Sequence, residues 1–297
     1  QSISGDAIKN NLAKTFTDIM NETLSGVTVK DIQNGSFQKN VDYRGFTASP
    51  LLGESQGITV YLNGVRVNES FGDTVQWELI PEYAIKKVDL MSSNPAFGLN
   101  ALGGSIALTT KEGLDYKNEK SYFDNTIKYG SYAYHSEVFE FAVGTLDTGL
   151  YSSIEKASDG GWRDHSEGKI GRFFTNLGHE KENYLINFSI LAADTDLNGN
   201  GVTPIELLHV DRASVFTWPD NTTNKVLMLT ASGSFFTKKE SVISTNFYMR
   251  KLFRNTFNAD EVDAEECAED VAADASELQN DYGLEDSPLC GEDNSTG

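Results

Sequence analysis

SVISTNFYMRKLF, residues 241–253, decides how this chain is read. Ile243, Thr245, Phe247 and Met249 fall on one face of an extended segment, and Ser244, Asn246, Tyr248 and Arg250 fall on the other. Side chains of a strand alternate between two faces, so the segment is predicted to be a strand with one apolar and one polar side. The same period runs through six earlier segments, roughly 122–130, 136–144, 149–157, 169–178, 182–192 and 225–236. In the fifth of the seven, Tyr184, Ile186, Phe188 and Ile190 share a face opposite Asn187 and Ser189. Such lengths suit tilted membrane strands of about 9–11 residues.

The connections sharpen this. Those at Leu146–Thr148, His179–Lys181 and Thr237–Glu240 are short, whereas 158–168, 194–224 and the stretch from Asn255 onward are long. Short turns on one side and long loops on the other are the pattern of an outer-membrane barrel. A soluble β-sandwich also alternates apolar and polar residues, and it is the alternative. No run of roughly 18 apolar residues occurs, which excludes a transmembrane helix but not a barrel.

Composition agrees with an ordered chain. The 297 residues carry 11% aromatics, 23% charged residues and a net charge of −20. No basic cluster suggests a nucleic-acid partner. Residues 255–297 hold 14 Asp/Glu and no Lys or Arg, so this stretch supplies −14 of the −20. By default it reads as a solvated loop. Its Cys267 and Cys290 are read as a loop-closing disulfide, with two free thiols as the other possibility. Gln1 and the polar end at Gly297 read as a chain cut at both ends.

The first 111 residues have another texture. Helices are expected at 6–12, capped by Ser4 or Asp6, and at 16–24. Short strands are expected at 27–32, 42–46, 58–62, 85–91 and 105–110, with a hairpin at Asn63-Gly64. This makes a small α+β domain. Its last strand follows the glycine-rich FGLNALGG, residues 97–104. Gly98, Gly103 and Gly104 are expected to mark sharp turns or close backbone approach.

Several stretches, taken in order, resemble the TonB-dependent outer-membrane receptors. They are Asp42-Tyr-Arg-Gly-Phe46, Ile58–Val65 with Asn63-Gly64, Phe71–Trp77 with Leu79-Ile-Pro81, and Ser93–Gly104 ending in Thr110-Lys111. Gly160–Ser166 and Asp196–Gly201 resemble the family's first barrel loops. The resemblance implies a plug domain over 1–111 and the first strands of a 22-stranded barrel over 112–297. The fold class is thus an α+β plug followed by antiparallel strands of a transmembrane β-barrel. The implied motif residues are Arg44, Gly45, Phe46, Asn63, Gly64, Gly98, Asn100, Gly103 and Gly104. The glycine-rich run would pack within the plug and against the barrel wall. Implied substrate contacts lie in the apical loops, at Asn68, Glu69, Phe71, Asp73 and Trp77, with anchoring of the loop on the plug core as the equal alternative for Phe71 and Trp77.

By the same resemblance the function is import of a scarce ligand, such as an iron chelate, cobalamin or oligosaccharide. The energy comes from a TonB complex, and outer-membrane lipid surrounds the barrel. The alternatives are a surface receptor or adhesin without import, and a soluble binding module. Two departures from the family stand out. The family's energy-coupling box is not among these residues. Ser92-Ser93 also stand where relatives often carry an Arg-Gly pair, leaving Arg44 as the one arginine of an expected plug-to-barrel lock.

No catalytic constellation is evident, and neither enzymatic activity nor a cofactor is expected. Asp194, Asp196 and Asn198 fit the first half of a calcium loop, D-x-D-x-N-G. The twelfth position is Ile205 and no helices flank the run, so a polar turn is the preferred reading and a cation loop the alternative. Trp162, Arg163 and Asp164 are read as bracing their own loop.

Overall fold

A computed structural model of the chain describes residues 1–11, 15–31, 33, 35–92, 98–119, 121–237, 241–259, 264–266 and 289–291. The N-terminal part begins with β1 (Ser2–Ser4), α1 (Gly5–Asn10) and α2 (Phe16–Thr23). Ser4 caps α1, and Thr15 with Asp18 forms a reciprocal capping box on α2. Each such cap satisfies backbone N–H groups that a helix start leaves open, and is worth about 1 kcal/mol. α2 buries Phe16, Ile19 and Met20.

These helices pack near a five-stranded sheet of order β1-β7-β8-β5-β6, in which β5 is Ile58–Leu62, β6 Val65–Arg66, β7 Ile85–Ser92 and β8 Gly104–Thr110. β5 and β8 pair in parallel, Ile58 beside Gly104. Ile58, Val60, Ile85, Val88, Ile106 and Leu108 from these strands are buried in the core. Asn63 and Gly64 both have positive φ, 49° and 79°, as the expected hairpin turn requires. The Asn63 amide also ties the end of β8, accepting from the Thr110 N–H at 3.0 Å and donating to its hydroxyl at 2.8 Å.

A second sheet holds β2 (Val27–Lys30), β3 (Asn40–Tyr43) and β4 (Phe46–Ala48). Here the single strand expected over 42–46 is corrected. Arg44 and Gly45 both take positive φ, 54° and 84°, and fold the segment into a tight hairpin. Period-2 patterning could not expose a turn whose flanking Tyr43 and Phe46 both look like strand residues. Those two aromatics answer the glycine question. A Cβ on Gly103 would lie within 2.6 Å of the Phe46 side chain. One on Gly104 would lie 2.6 Å from the Met91 carbonyl oxygen and 3.3 Å from the Tyr43 ring. The glycines before β8 are thus the seat of the Arg44-Gly45 hairpin, inside the same domain rather than against the other sheet.

The rest is one antiparallel seven-stranded meander, β9 (Tyr122–Tyr129), β10 (His135–Gly144), β11 (Thr148–Asp159), β12 (Gly168–Lys181), β13 (Tyr184–Asn198), β14 (Asn221–Phe236) and β15 (Val242–Phe257), paired in sequence order. The strands run longer than periodicity alone predicts. β13 continues through Asp194, Asp196 and Asn198, which corrects the loop expected there. Polar residues at a strand end read as loop in sequence, yet they keep the ladder register with β12 and β14. The connection that follows, 199–220, holds α3 (Ile205–Val210). β16 (Ala264–Glu266) and β17 (Leu289–Gly291) form a separate ribbon. Cys267, and with it the expected disulfide, lies outside the described residues. No described helix is long and apolar enough to cross a membrane.

Candidate functional site: the plug seat on the barrel wall

The inner face of the meander carries the N-terminal domain. Ala142, Tyr151, Phe174, Leu191, Ala193, Val226 and Met228 point inward and join the same apolar core as Ile19, Ile85 and Val60. Around this contact lie two sets of charge contacts. In the first, the domain supplies carboxylates and the wall supplies arginines. Arg250 grips Glu69 in a fork, Nη1 to Oε2 at 3.0 Å and Nη2 to Oε1 at 2.5 Å. Arg172 pairs with Glu82 at 3.2 Å and with its own wall neighbour Glu155 at 3.3 Å, and its Nε donates to the Glu78 carbonyl at 2.8 Å. Arg254 donates to the Pro50 carbonyl at 3.2 Å. Planar arginine forks suit such bidentate, partly dry pairings better than lysine does.

In the second set the signs are exchanged. Lys9 pairs with Asp124 at 2.8 Å and Lys111 with Glu140, which also accepts from the Tyr151 hydroxyl at 2.6 Å. The lock expected on plug arginines therefore runs the other way in the first set. Arg44 takes no part in it and lies over the Tyr43 ring, 5.0 Å from its centroid.

Glu78 is the most deeply buried acid of the seat. It is fully buried, and its Oε1 accepts from Asn224 of β14 at 3.0 Å. Burial pushes its pKa up to about 7, against the pull of its own backbone N–H, Arg254 and Arg172, while Glu69 adds to the rise. Burial also raises the nearby Tyr83 phenol. Lys9 shifts upward because Asp124 and Tyr122 accept its hydrogen bonds.

The link between the two domains is part of the seat. Residues 113–116 form a 3-10 turn laid flat on the wall. A Cβ on Gly113 would collide with the Gly149 backbone, and one on Gly149 with Gly113. The Gly113 N–H donates to the Asn176 side chain at 2.6 Å. Alternation could not flag this contact, because a glycine inside a strand carries no side-chain signal.

The apical residues sort clearly. Asn68 is buried, accepting from Val60 N at 2.8 Å and donating to the Ile58 carbonyl at 3.0 Å, so it braces its loop. Asp73, at φ 54°, is held by Arg66 and Asn100. Trp77 is buried, with its indole N–H on the Ala48 carbonyl at 3.0 Å. Glu69 is held by Arg250. Phe71 alone of the five is open, at 78% exposure. Gly98 turns with φ 85° beneath the Tyr61 hydroxyl.

Asp194 pairs with Lys225 at 3.1 Å and Asp196 accepts from Asn221 at 2.8 Å. No group of three or more metal-ligating side chains occurs among the described residues. The long connections brace one another. Arg163 donates to the Thr203 hydroxyl and the Ser214 carbonyl, and His165 stacks on Trp218 with centroids 4.1 Å apart.

An α+β domain seated by charge and apolar contact inside an antiparallel wall is the plug-and-barrel arrangement of TonB-dependent receptors. The TonB-dependent Receptor Plug Domain family model matches residues 1–105, so this part of the chain is such a plug, and the meander that follows has the strand arrangement of these receptors' barrels. The ferric citrate transporter FecA in its unliganded form superposes with a TM-score of 0.70 at 15% identity, covering 88% of this chain and 41% of its own. The Ferric-Catecholate import receptor Fiu of E. coli K12, in its open form, gives 0.68 at 15%, covering 92% and 42%. The ferric yersiniabactin uptake receptor FyuA of Yersinia pestis gives 0.65 at 11%, covering 88% and 42%. The chain spans about two-fifths of the length of these receptors. No curated protein matches it.

Proposed function

We propose that the full-length protein imports a ferric chelate across the outer membrane of a Gram-negative bacterium, driven through a TonB complex. The observation that carries this reading is the seat itself: a plug held on the inner wall by apolar contact and by ion pairs of both polarities. A seat held at so many points needs work to open, which favours an energised importer over a passive surface receptor. The three solved receptors named above carry ferric-ligand names, and this supports iron chelates ahead of cobalamin or oligosaccharides. In this reading residues 1–111 are plug and 112–297 barrel, long connections face the exterior and short turns the periplasm. Phe71 is the apical ligand contact, and Asn68, Glu69, Asp73 and Trp77 shape the loop that presents it. The protein has no enzymatic role.

The test is uptake by cells making the full-length protein, over a panel of labelled iron chelates, cobalamins and glycans, with and without a working TonB complex. Accumulation of an iron chelate only in energised cells is the expected result. Binding without accumulation would sink the importer and leave a surface receptor.

A further inference from the structure

Glu78 reaches the wall from the 3-10 turn Trp77–Leu79 and meets Asn224 of β14 there. Both residues are fully buried. The Asn224 Nδ2 donates to Glu78 Oε1 at 3.0 Å, which fixes the way the amide lies. The other two oxygens of the pair, Glu78 Oε2 and Asn224 Oδ1, have no hydrogen-bond partner among the described residues. An ionised acid and an amide oxygen are both acceptors, and buried acceptors without a donor are costly.

A single proton resolves this. A protonated carboxyl carries one O–H donor beside its carbonyl acceptor, and a primary amide carries the complementary acceptor and donor. With the proton on Oε2, acid and amide can close a cyclic pair, Asn224 Nδ2 to Oε1 and Oε2–H to Asn224 Oδ1. The two atoms it would join are the two that lack partners.

The neighbours do not supply that donor. Asn224 stands between Thr195 of β13 and Arg254 of β15 in the ladder. The Thr195 hydroxyl is buried and bonds to neither oxygen. Arg254 is engaged by the Pro50 carbonyl and the Thr256 hydroxyl. Arg172 of β12 is engaged by Glu82, Glu155 and the Glu78 carbonyl. Both arginines pull toward the ionised acid, whereas Glu69, held by Arg250, pushes toward the protonated one. Burial outweighs the arginines, and the Glu78 pKa rises to about 7.

We propose that Glu78 and Asn224 form a proton-operated latch between plug and wall, closed when Glu78 donates its proton to the Asn224 carbonyl and opened when that proton leaves. The acid belongs to the plug and the amide to the wall, so the shared proton ties one domain to the other. A buried carboxylic acid kept neutral in order to donate is an established device in proteins. Ionised, Glu78 sets a buried charge beside an amide with one bond in place of two, and the seat loosens. The seat is therefore tighter in acid than at neutral or alkaline pH. The latch rests on the plug–wall contact and not on import, so the two readings can fail separately.

The test uses full-length protein in detergent and infrared difference spectra taken against Glu78→Gln. At about pH 5 the wild type is expected to show the carbonyl band of a protonated carboxyl that Glu78→Gln lacks, and to lose it as the pH rises through about 7. In Asn224→Leu the band should remain but shift, because the O–H has lost its acceptor. Asn224→Ala reads the same shift if leucine blocks assembly. In parallel, the fraction of plug released in urea should rise at least about tenfold in the wild type between about pH 5 and pH 8, as the proton held by the folded state is lost. Glu78→Gln, whose amide keeps both bonds, should hold its acid value at both. Absence of the Glu78 band at about pH 5, which would mean an ionised acid met by buried water, overturns the proposal. So does a band that neither Asn224 variant shifts, or a pH slope in Glu78→Gln as steep as that of the wild type.

Discussion

The two faces of the same seven strands obey different rules. The outer face is mostly apolar from Tyr184 to Ala192 and their ladder partners, with Ser152 and Thr175 hydrogen-bonded to each other within it, and one large apolar residue there can replace another. The inner face alternates apolar patches with single charges, of which Asp124, Glu140, Arg172 and Arg250 each meet a named partner on the plug. Lipid is a uniform solvent that reads only average polarity, whereas the plug is a second surface that reads position. A change on the outer face should therefore act through depth, and one on the inner face through loss of a partner.

The largest effect should come from Arg172→Ala. It would leave Glu155 and Glu82 without their buried cation, a loss of about 3–5 kcal/mol by analogy with other broken buried pairs. Urea release of the plug from otherwise folded full-length barrels would register it. Next comes the outer face. Phe188→Arg or Phe247→Arg should each cost about 2–4 kcal/mol near the middle of the belt, Ile186→Arg somewhat less, and Thr223→Arg at the rim about 0–1 kcal/mol. The yield of heat-resistant folded barrel measures this. Equal yields at Phe247→Arg and Thr223→Arg would undo the depth rule.

A smaller effect concerns Glu78. Its folded pKa of about 7 lies above the ordinary 4.5, so the folded state holds a proton that the unfolded chain releases earlier. The stability of the seat should fall as pH rises through roughly 4.5 to 7 and then level off. Glu78→Gln should flatten that slope, as seen in denaturant midpoints across the range. Smallest in stability is Phe71→Ala. It should shift the midpoint by less than about 0.5 kcal/mol, yet weaken ligand binding about tenfold if Phe71 is a contact worth about 1.4 kcal/mol. Isothermal titration with the ligand found by uptake would separate the two.

Much of this was legible in the chain itself. All seven barrel strands follow from period-2 alternation, and the Asn63-Gly64 hairpin follows from turn chemistry. Strand ends were not legible, because residues such as Asp194 and Asn198 carry the composition of loops while keeping strand register. The hairpin at Arg44-Gly45 was hidden by the strand-like aromatics beside it. The seat was least legible. Arg172 meets Glu78 across 94 positions and Arg250 meets Glu69 across 181, and nothing local marks them as partners. Among residues expected to touch substrate, polar identity could not distinguish Asn68 and Asp73, which brace their own loop, from an open contact such as Phe71.

Matched charge between plug and wall is the centre of this account, and the fork of Arg250 on Glu69 offers the cleanest test of it. The measurement is plug retention, read as protease resistance of the plug in outer membranes, for Glu69→Arg, Arg250→Glu and the double exchange in the full-length protein. Each single change sets two like charges face to face and should loosen the plug, and the double exchange should restore most of its protection. Singles that leave the plug as protected as wild type, or a double exchange no better than either single, would contradict the account.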